Sequence, residues 1–130
     1  MDDFRELLQN PWIFLIVGYL FTIAIETPVL LAGLSPQHPL KHRLAAGAWL
    51  TACTYPIVVV VLPEIFDVTD QRIAYLAVAE TFAPVAECLL FWAAFGPLKN
   101  PWRDLIAVTV ANLASFALGE VAGQLFFNTG

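Results

Sequence analysis

Four glutamates lie inside long apolar stretches of this 130-residue chain, where an acidic side chain is costly. They are Glu26, Glu80, Glu87 and Glu120. A charged group at the centre of a membrane-spanning helix costs roughly 2.5–3.5 kcal/mol on insertion scales, and no Lys, Arg or His lies in these stretches to neutralise it. We therefore expect the four carboxyl groups to be protonated, hydrogen-bonded, hydrated or bound to a cation.

The depth of the polar residues in these stretches predicts two layers of polar groups, about 10 Å apart by the rise of an α-helix. The inner layer contains Glu26, Glu87, Asn112 and Thr54, and the outer layer contains Glu80 and Glu120. Two carboxyl groups close together in a low-dielectric site cannot both be charged at low cost. Each layer is therefore expected to hold a proton or to bind a cation.

Carboxylate oxygens are the ligands that Ca²⁺, Mg²⁺ and Mn²⁺ prefer. Glu26 with Glu87, and Glu80 with Glu120, are accordingly candidate ligands of a divalent cation, the one cofactor that the sequence indicates. The same groups could instead relay protons, as carboxyl groups do in pumps and transporters.

The chain carries no signature of a catalytic site. It has no Glu-x-x-His pair, no glycine-rich phosphate loop and no nucleophile elbow. His38 and His42 lie four residues apart, but Pro39 and the loop context favour solvated side chains over a metal pair. We expect the protein not to be an enzyme, and a metal-dependent intramembrane enzyme is the weakest hypothesis.

The composition indicates the class of protein in which these residues lie. Hydrophobic residues make up 59% of the chain and charged residues only 13%, which is too apolar for a soluble domain or a disordered segment. The absence of a long basic run makes nucleic acid an unexpected partner.

Four apolar stretches are long enough to cross a bilayer: residues 11–34, 44–62, 73–95 and 105–127. The separators are short, which makes consecutive helices antiparallel neighbours. We predict an all-α protein with a single transmembrane domain, an antiparallel bundle of four helices spanning residues 1–130. The acidic start, MDDFRELLQNPW, favours a retained first helix over a signal peptide.

The basic residues predict the orientation. Two lie on the side of the termini (Arg5 and Arg72) and four on the other side (Lys41, Arg43, Lys99 and Arg103). The positive-inside rule then places the first and third loops in the cytoplasm and both termini outside, in a prokaryotic inner membrane. The predicted outer face collects six acids, which would weakly attract cations: Asp2, Asp3, Glu6, Glu64, Asp67 and Asp70.

Aromatic residues are expected to anchor the helices at the two membrane surfaces. The outer set is Trp12, Tyr75, Phe126 and Phe127, and the inner set is Trp92 and Trp102.

Each predicted helix carries one stripe of small and polar residues, which we interpret mainly as a packing seam. Gly119 and Gly123 form a small-xxx-small pair, the pattern that lets two membrane helices approach closely. Glu80 and Glu87 lie seven residues apart with Pro84 between them, which predicts that all three share one face of the third helix.

Prolines interrupt the first three helices near mid-span, at Pro28, Pro56 and Pro84. Each frees the carbonyl four residues earlier, because proline has no backbone N–H. Broken helices beside carboxyl groups are typical of ion pathways, although ordinary bundles contain them as well.

A faint repeat relates the two halves of the chain. A glutamate, a leucine pair, the letters PLK and an arginine recur in order, with Glu26 and Arg43 separated by 17 residues and Glu87 and Arg103 by 16. A parallel duplication would make Glu26 and Glu87 symmetry mates.

Three functions remain open. The first is a small membrane transport protein that moves, or is coupled to, a cation or protons through its intramembrane carboxyl groups. Since four helices rarely enclose a pathway alone, we expect a homodimer in the lipid bilayer. The second is an accessory or assembly subunit whose glutamates pair with basic residues of a larger membrane partner. The third is the metal-dependent enzyme.

Overall fold

The computed structural model describes residues 2–127, and the side chains of residues 3 and 5–125 within them. These residues form helices and no strand: α1 (Asp2–Leu8), α2 (Pro11–Gly33), α3 (Leu40–Ile65), α4 (Arg72–Phe95) and α5 (Pro101–Phe127). The helices α2 to α5 are long and apolar enough to span a membrane. The all-α prediction with four transmembrane helices is confirmed, and the chain is an integral, multi-pass membrane protein.

The first long helix begins at a clear sequence signal. Asn10 caps it, since its side-chain oxygen accepts a hydrogen bond from the backbone N–H of Trp12 at 3.0 Å. Pro11 follows at the first helical position, where its missing N–H costs nothing. The same Asn-Pro pair separates α2 from α1, a short helix that the apolar pattern did not predict.

Two spans begin earlier than predicted. Helix α3 begins at Leu40 rather than residue 44, and α5 begins at Pro101 rather than residue 105. Their first turns contain polar residues such as Lys41 and Asp104. Hydropathy marks only the apolar part of a helix, so a polar first turn is missed.

The predicted irregularity at Pro56 takes the form of a π-helical segment. Helix α3 is α-helical over Leu40–Pro56, π-helical over Ile57–Val61 and α-helical again over Leu62–Ile65. Proline removes one hydrogen bond of the ladder, and a wider turn is one way for a helix to continue past it. Pro28 and Pro84 likewise lie inside continuous helices.

The four long helices form a ring in which each packs against two neighbours. Helix α2 packs against α3 and α5, and α4 packs against the same two helices. Helices α2 and α4 therefore stand at opposite corners. We call the end that carries α1 and the α3–α4 loop the terminal end, and the end that carries the α2–α3 and α4–α5 loops the loop end.

The bundle is packed differently at its two ends. Towards the loop end, all four helices contribute to one apolar core: Leu30, Leu34, Ala46, Leu50, Phe91, Ala107, Val108 and Ala111. Towards the terminal end, the buried residues of a smaller cluster belong to α3 and α4, and Phe116 of α5 packs against them: Val58, Leu62, Ala79 and Ala83. We refer to these regions as the closed half and the open half.

A buried polar cluster stabilises the loop end. Asp104 is fully buried and accepts hydrogen bonds from the backbone N–H and hydroxyl of Ser35, at 2.8 and 3.1 Å. Its carboxylate also lies 2.9 Å from Nε2 of His38. Arg43 donates to three carbonyl oxygens at the end of α2 and in the following loop. The expectation of a solvated His38 is wrong, because its ring is 4% exposed and packs edge-on against Phe91.

The interfacial aromatic residues agree with the sequence in part. Trp12, Trp92 and Trp102 are exposed on the bundle surface, as membrane anchors must be. Tyr75 is instead half-buried, and its hydroxyl donates to the Val58 carbonyl at 2.9 Å. The side chains of Phe126 and Phe127 lie outside the described residues.

Candidate functional site: a cavity that ends on two carboxyl groups

A cavity of about 550 Å³ occupies the open half of the bundle. Leu8, Tyr75 and Glu120 line it near the terminal end, and Glu26 and Glu87 line it near mid-depth. All four long helices contribute to its wall. The closed half lies beyond the two carboxyl groups, so the cavity extends from them towards the terminal end of the bundle.

The floor of the cavity contains two buried glutamates with matching hydrogen bonds. Thr54 Oγ1 on α3 donates to Glu87 Oε2 on α4 at 2.7 Å, and Ser115 Oγ on α5 donates to Glu26 Oε2 on α2 at 3.1 Å. Glu26 is 3% exposed and Glu87 is 2% exposed. Each carboxyl group is thus oriented by a hydroxyl from the neighbouring helix.

Asn112 and Thr51 complete the floor. Asn112 Nδ2 donates to the Val108 carbonyl at 3.0 Å, and the side chain also lies against Glu87. Thr51 Oγ1 donates to the Gly47 carbonyl at 2.8 Å. The structure therefore brings together all four residues of the predicted inner layer, and it adds Thr51 and Ser115.

The two carboxyl groups are close enough to interact electrostatically. They belong to helices at opposite corners of the ring, so they face each other across its centre. Among the residues that the structure describes, no Lys, Arg or His lines the cavity floor. The floor accordingly has the character that the sequence predicted for it, a pair of carboxyl groups without a basic partner.

The two glutamates and their hydroxyl donors are related by one constant separation. Glu87 follows Glu26 by 61 residues, and Ser115 follows Thr54 by 61 residues. The same separation relates further pairs that line the cavity: Phe14 and Tyr75, Thr22 and Ala83, Thr51 and Asn112, Tyr55 and Phe116, Val58 and Gly119, Val59 and Glu120. Such a pattern is expected if the two hairpins are a parallel duplication with Glu26 and Glu87 as mates. A search for this spacing in the sequence would have found Thr51 and Ser115.

Comparisons with known proteins do not extend this description. No family model, no curated protein and no solved structure matches the chain. The site must therefore be interpreted from its own geometry and chemistry.

The wall above the floor is mainly apolar and aromatic. Tyr55 packs directly on Gly18, where its hydroxyl occupies the space that a Cβ would need. Across the cavity, Gly119 and Gly123 have no heavy atom within 4 Å of a Cβ built on either residue. The interpretation of this pair as a close packing seam is wrong, because within the described residues it lines open space.

The outer layer does not form. Glu120 lies at the cavity wall, where it makes an exposed ion pair with Arg72 at the start of α4. Glu80 is exposed outside the cavity, in a shallow groove with Cys88 and Thr109. The two glutamates therefore cannot form the expected pair, and Glu120 has a basic partner.

The position of Glu80 follows from the packing of α4. Four of its buried residues recur every four positions, at Ala79, Ala83, Glu87 and Phe91, and Pro84 is buried beside this stripe. A four-residue spacing advances about 40° beyond full turns, so the buried stripe winds around the helix. At the depth of Glu80 the stripe has reached Ala79, and Glu80 lies to one side of it.

The arrangement of acidic residues also bears on the candidate divalent cation. Among the described residues, no group of three or more His, Cys, Asp or Glu side chains is placed to hold a metal ion. Glu26 and Glu87 line one cavity and stay a candidate pair of carboxyl ligands. Glu80 and Glu120 do not converge, so the second candidate metal site is not assembled.

Proposed function

We propose that this protein is a small membrane transport protein that moves, or is coupled to, protons or another cation through Glu26 and Glu87. One observation carries the proposal: a cavity of about 550 Å³ that leads from the terminal end to two buried carboxyl groups without a basic partner. Intramembrane carboxyl groups that face a cavity are typical of substrate pathways and proton relays.

The burial of the two groups favours exchange of a positive charge. Two neighbouring carboxylates in a low-dielectric site cannot both be charged at low cost, so the pair gains free energy by taking up a proton or a cation. Thr54 and Ser115 each donate to one oxygen of a carboxyl group, and both carboxyl groups line the cavity. The pair can therefore release one positive charge when it binds another.

The charges near the terminal end of the bundle also favour the approach of a cation to the cavity. Glu64, Asp67 and Asp70 are exposed near the terminal end, where they produce a negative potential. On the other side, Leu30, Leu50 and Phe91 fill the bundle beyond the floor. Transport would require the closed half to open in a second conformation, which is the expected behaviour of an alternating-access protein.

Proton flux into proteoliposomes tests the proposal. Vesicles loaded with the pH-sensitive dye pyranine would receive a potassium diffusion potential, and acidification would be recorded for wild type, Glu26→Gln and Glu87→Gln. Because glutamine keeps the shape and the hydrogen-bond acceptor but cannot ionise, we expect each variant to lose at least tenfold in rate. A dye quenched by Mn²⁺ provides the parallel measurement for a divalent cation.

Glu80→Gln is the matched control, since it removes an exposed carboxyl group from the same helix as Glu87 but outside the cavity. It should retain the wild-type rate. Size-exclusion profiles and thermal unfolding in detergent report whether each variant is folded. Undiminished flux in folded Glu26→Gln and Glu87→Gln, or wild-type protein without flux of either ion, would overturn the proposal.

The hypothesis of an accessory subunit is based on a glutamate outside the cavity. Glu80 is exposed on the surface of α4 within the span, where a basic residue of a larger membrane partner could reach it. A stoichiometric polytopic partner, retained in mild detergent by wild type and lost in Glu80→Gln, would support that role. The predicted homodimer, the orientation in a prokaryotic inner membrane and the absence of enzymatic activity stay predictions.

A further inference from the structure

The cavity is far larger than a proton or a metal ion requires. A volume of about 550 Å³ is within the range of pockets that bury small organic molecules. Its wall above the floor is formed mainly by apolar and aromatic side chains, among them Phe14, Phe21, Tyr55 and Phe116. Such a wall has few oxygens with which to replace the six to eight ligands of Ca²⁺, or the hydration shell of Mg²⁺.

The floor provides hydrogen-bond acceptors rather than donors. The hydroxyl protons of Thr51, Thr54 and Ser115 are directed to backbone carbonyls or to the two carboxyl groups. Asn112 uses its amide on the Val108 carbonyl and next to Glu87. What remains free to face a ligand is carboxylate oxygen, which a cationic N–H donor satisfies best.

We propose that the cavity binds a lipophilic organic ammonium ion, with its charged nitrogen between Glu26 and Glu87 and its apolar body against the aromatic wall. The inference rests on the proposed function, because it names the substrate class of the same site. Aromatic faces add a favourable interaction with the cationic head, and the apolar wall replaces water around the body. Binding of the cation would release a proton from the carboxyl pair, which links the substrate to proton movement.

Two small molecules of similar shape distinguish the contribution of the positive charge to binding from the contribution of the apolar body. One is 4-phenylbutylamine, which is cationic at neutral pH, and the other is the uncharged 4-phenylbutanol. Calorimetry on the purified full chain in detergent would measure the affinity of each. We expect the amine to bind wild type at least tenfold more tightly than the alcohol, with proton release that shows as a dependence of the binding heat on the buffer.

Two substitutions test where the ligand lies. The double change Glu26→Gln and Glu87→Gln should remove the preference for the amine. Gly119→Leu should weaken both ligands at least tenfold, because its side chain would fill the cavity and a Cβ at this position meets nothing within 4 Å. Ala117→Leu is the matched control: it adds the same side chain two residues away, at an exposed position outside the cavity lining, and should bind as wild type.

The outcomes separate this inference from the proposed function. Equal affinities for amine and alcohol, no binding of either, or a preference that survives in the double variant would overturn the organic-ammonium inference. Proton flux that depends on Glu87 would still support the proposed function in that case. If the double variant does not fold, the comparison of amine with alcohol on wild type and on Gly119→Leu remains decisive.

Discussion

The closed and open halves of the bundle are built from the same four helices, yet they differ in what fills the space between them. In the closed half, Phe91 and Leu50 are buried to 0% and 1% exposure, and Asp104 is fully buried in a satisfied hydrogen-bond cluster. In the open half, Gly119 and Gly123 face empty space and a cavity separates the helices.

The difference shows how a short chain can combine a packed core with a cavity that ends on two buried carboxyl groups. The closed half has interdigitated side chains and buried hydrogen bonds, the features that stabilise a membrane protein. The open half forgoes such contacts, and its cavity ends at the two buried carboxyl groups at the boundary between the halves. Substitutions should therefore affect stability on one side and transport on the other.

The largest loss of stability is expected from Asp104→Ala in the closed half. Removal of the carboxylate leaves the Ser35 N–H and the His38 ring buried without their partner, which should cost about 3 kcal/mol. Unfolding in mixed micelles of mild detergent and SDS measures the free energy of unfolding. Asp70→Ala, at an exposed position, is the control and should stay within about 0.5 kcal/mol of wild type. Equal stability of the two variants would contradict the structural role of the cluster.

A pair of phenylalanines compares the packing of the two halves directly. Phe91→Ala leaves a void in the closed half and should lower the free energy of unfolding by about 2 kcal/mol. In a membrane the void itself is still costly, but there is no contribution from transferring the side chain between water and an apolar interior. Phe116→Ala enlarges a cavity that already exists, so its cost should be less than half as large. The same unfolding assay checks both. A larger loss for Phe116→Ala would show that the open half is tightly packed.

Replacement of glycine by alanine should change stability in opposite directions in the two halves. At Gly47 in α3, a Cβ would lie 2.3 Å from Thr27 Oγ1 and 3.2 Å from its Cβ, so Gly47→Ala should destabilise by about 1 kcal/mol. At Gly119 a Cβ meets nothing, and Gly119→Ala should be neutral or stabilising by about 0.5 kcal/mol through helix propensity. Thermal unfolding in detergent measures both changes. Destabilisation by Gly119→Ala would mean that the space beside it is filled.

The smallest effect is expected from Glu80→Gln. This substitution is chemically identical to Glu87→Gln and lies seven residues away on the same helix, but Glu80 is exposed outside the cavity. Proton flux should stay within about twofold of wild type and stability within about 0.5 kcal/mol. A loss of flux comparable with that of Glu87→Gln would show that the site extends beyond the cavity described above.

Much of the fold and part of the site could be predicted from the sequence. The lengths of the apolar stretches predicted four helices, because a membrane span needs about 20 apolar residues. The depth of Glu26, Glu87 and Asn112 followed from the constant rise of a helix, so their common level was predictable. The faint repeat also suggested that Glu26 and Glu87 are mates, and these two residues line the same cavity.

The failures share another cause, since each concerns the direction in which a side chain faces. Glu80 was expected to meet Glu120 inside the bundle, but the buried stripe of α4 winds away from Glu80 and leaves it exposed. His38 was expected in water, but a loop folds its ring onto Phe91 and Asp104. Gly119 was expected to contact a neighbouring helix, but it lines the cavity.

The sequence by itself determined the number of helices, their approximate bounds and the level of the buried carboxyl groups, since hydropathy and helical rise are local properties of the chain. Only the tertiary structure decided which residues meet. In a membrane, the lipid and the protein interior are both apolar, so the hydropathy pattern does not distinguish the face of a helix that packs from the face that meets lipid. That choice depends on all four helices at once, and it creates the cavity above Glu26 and Glu87.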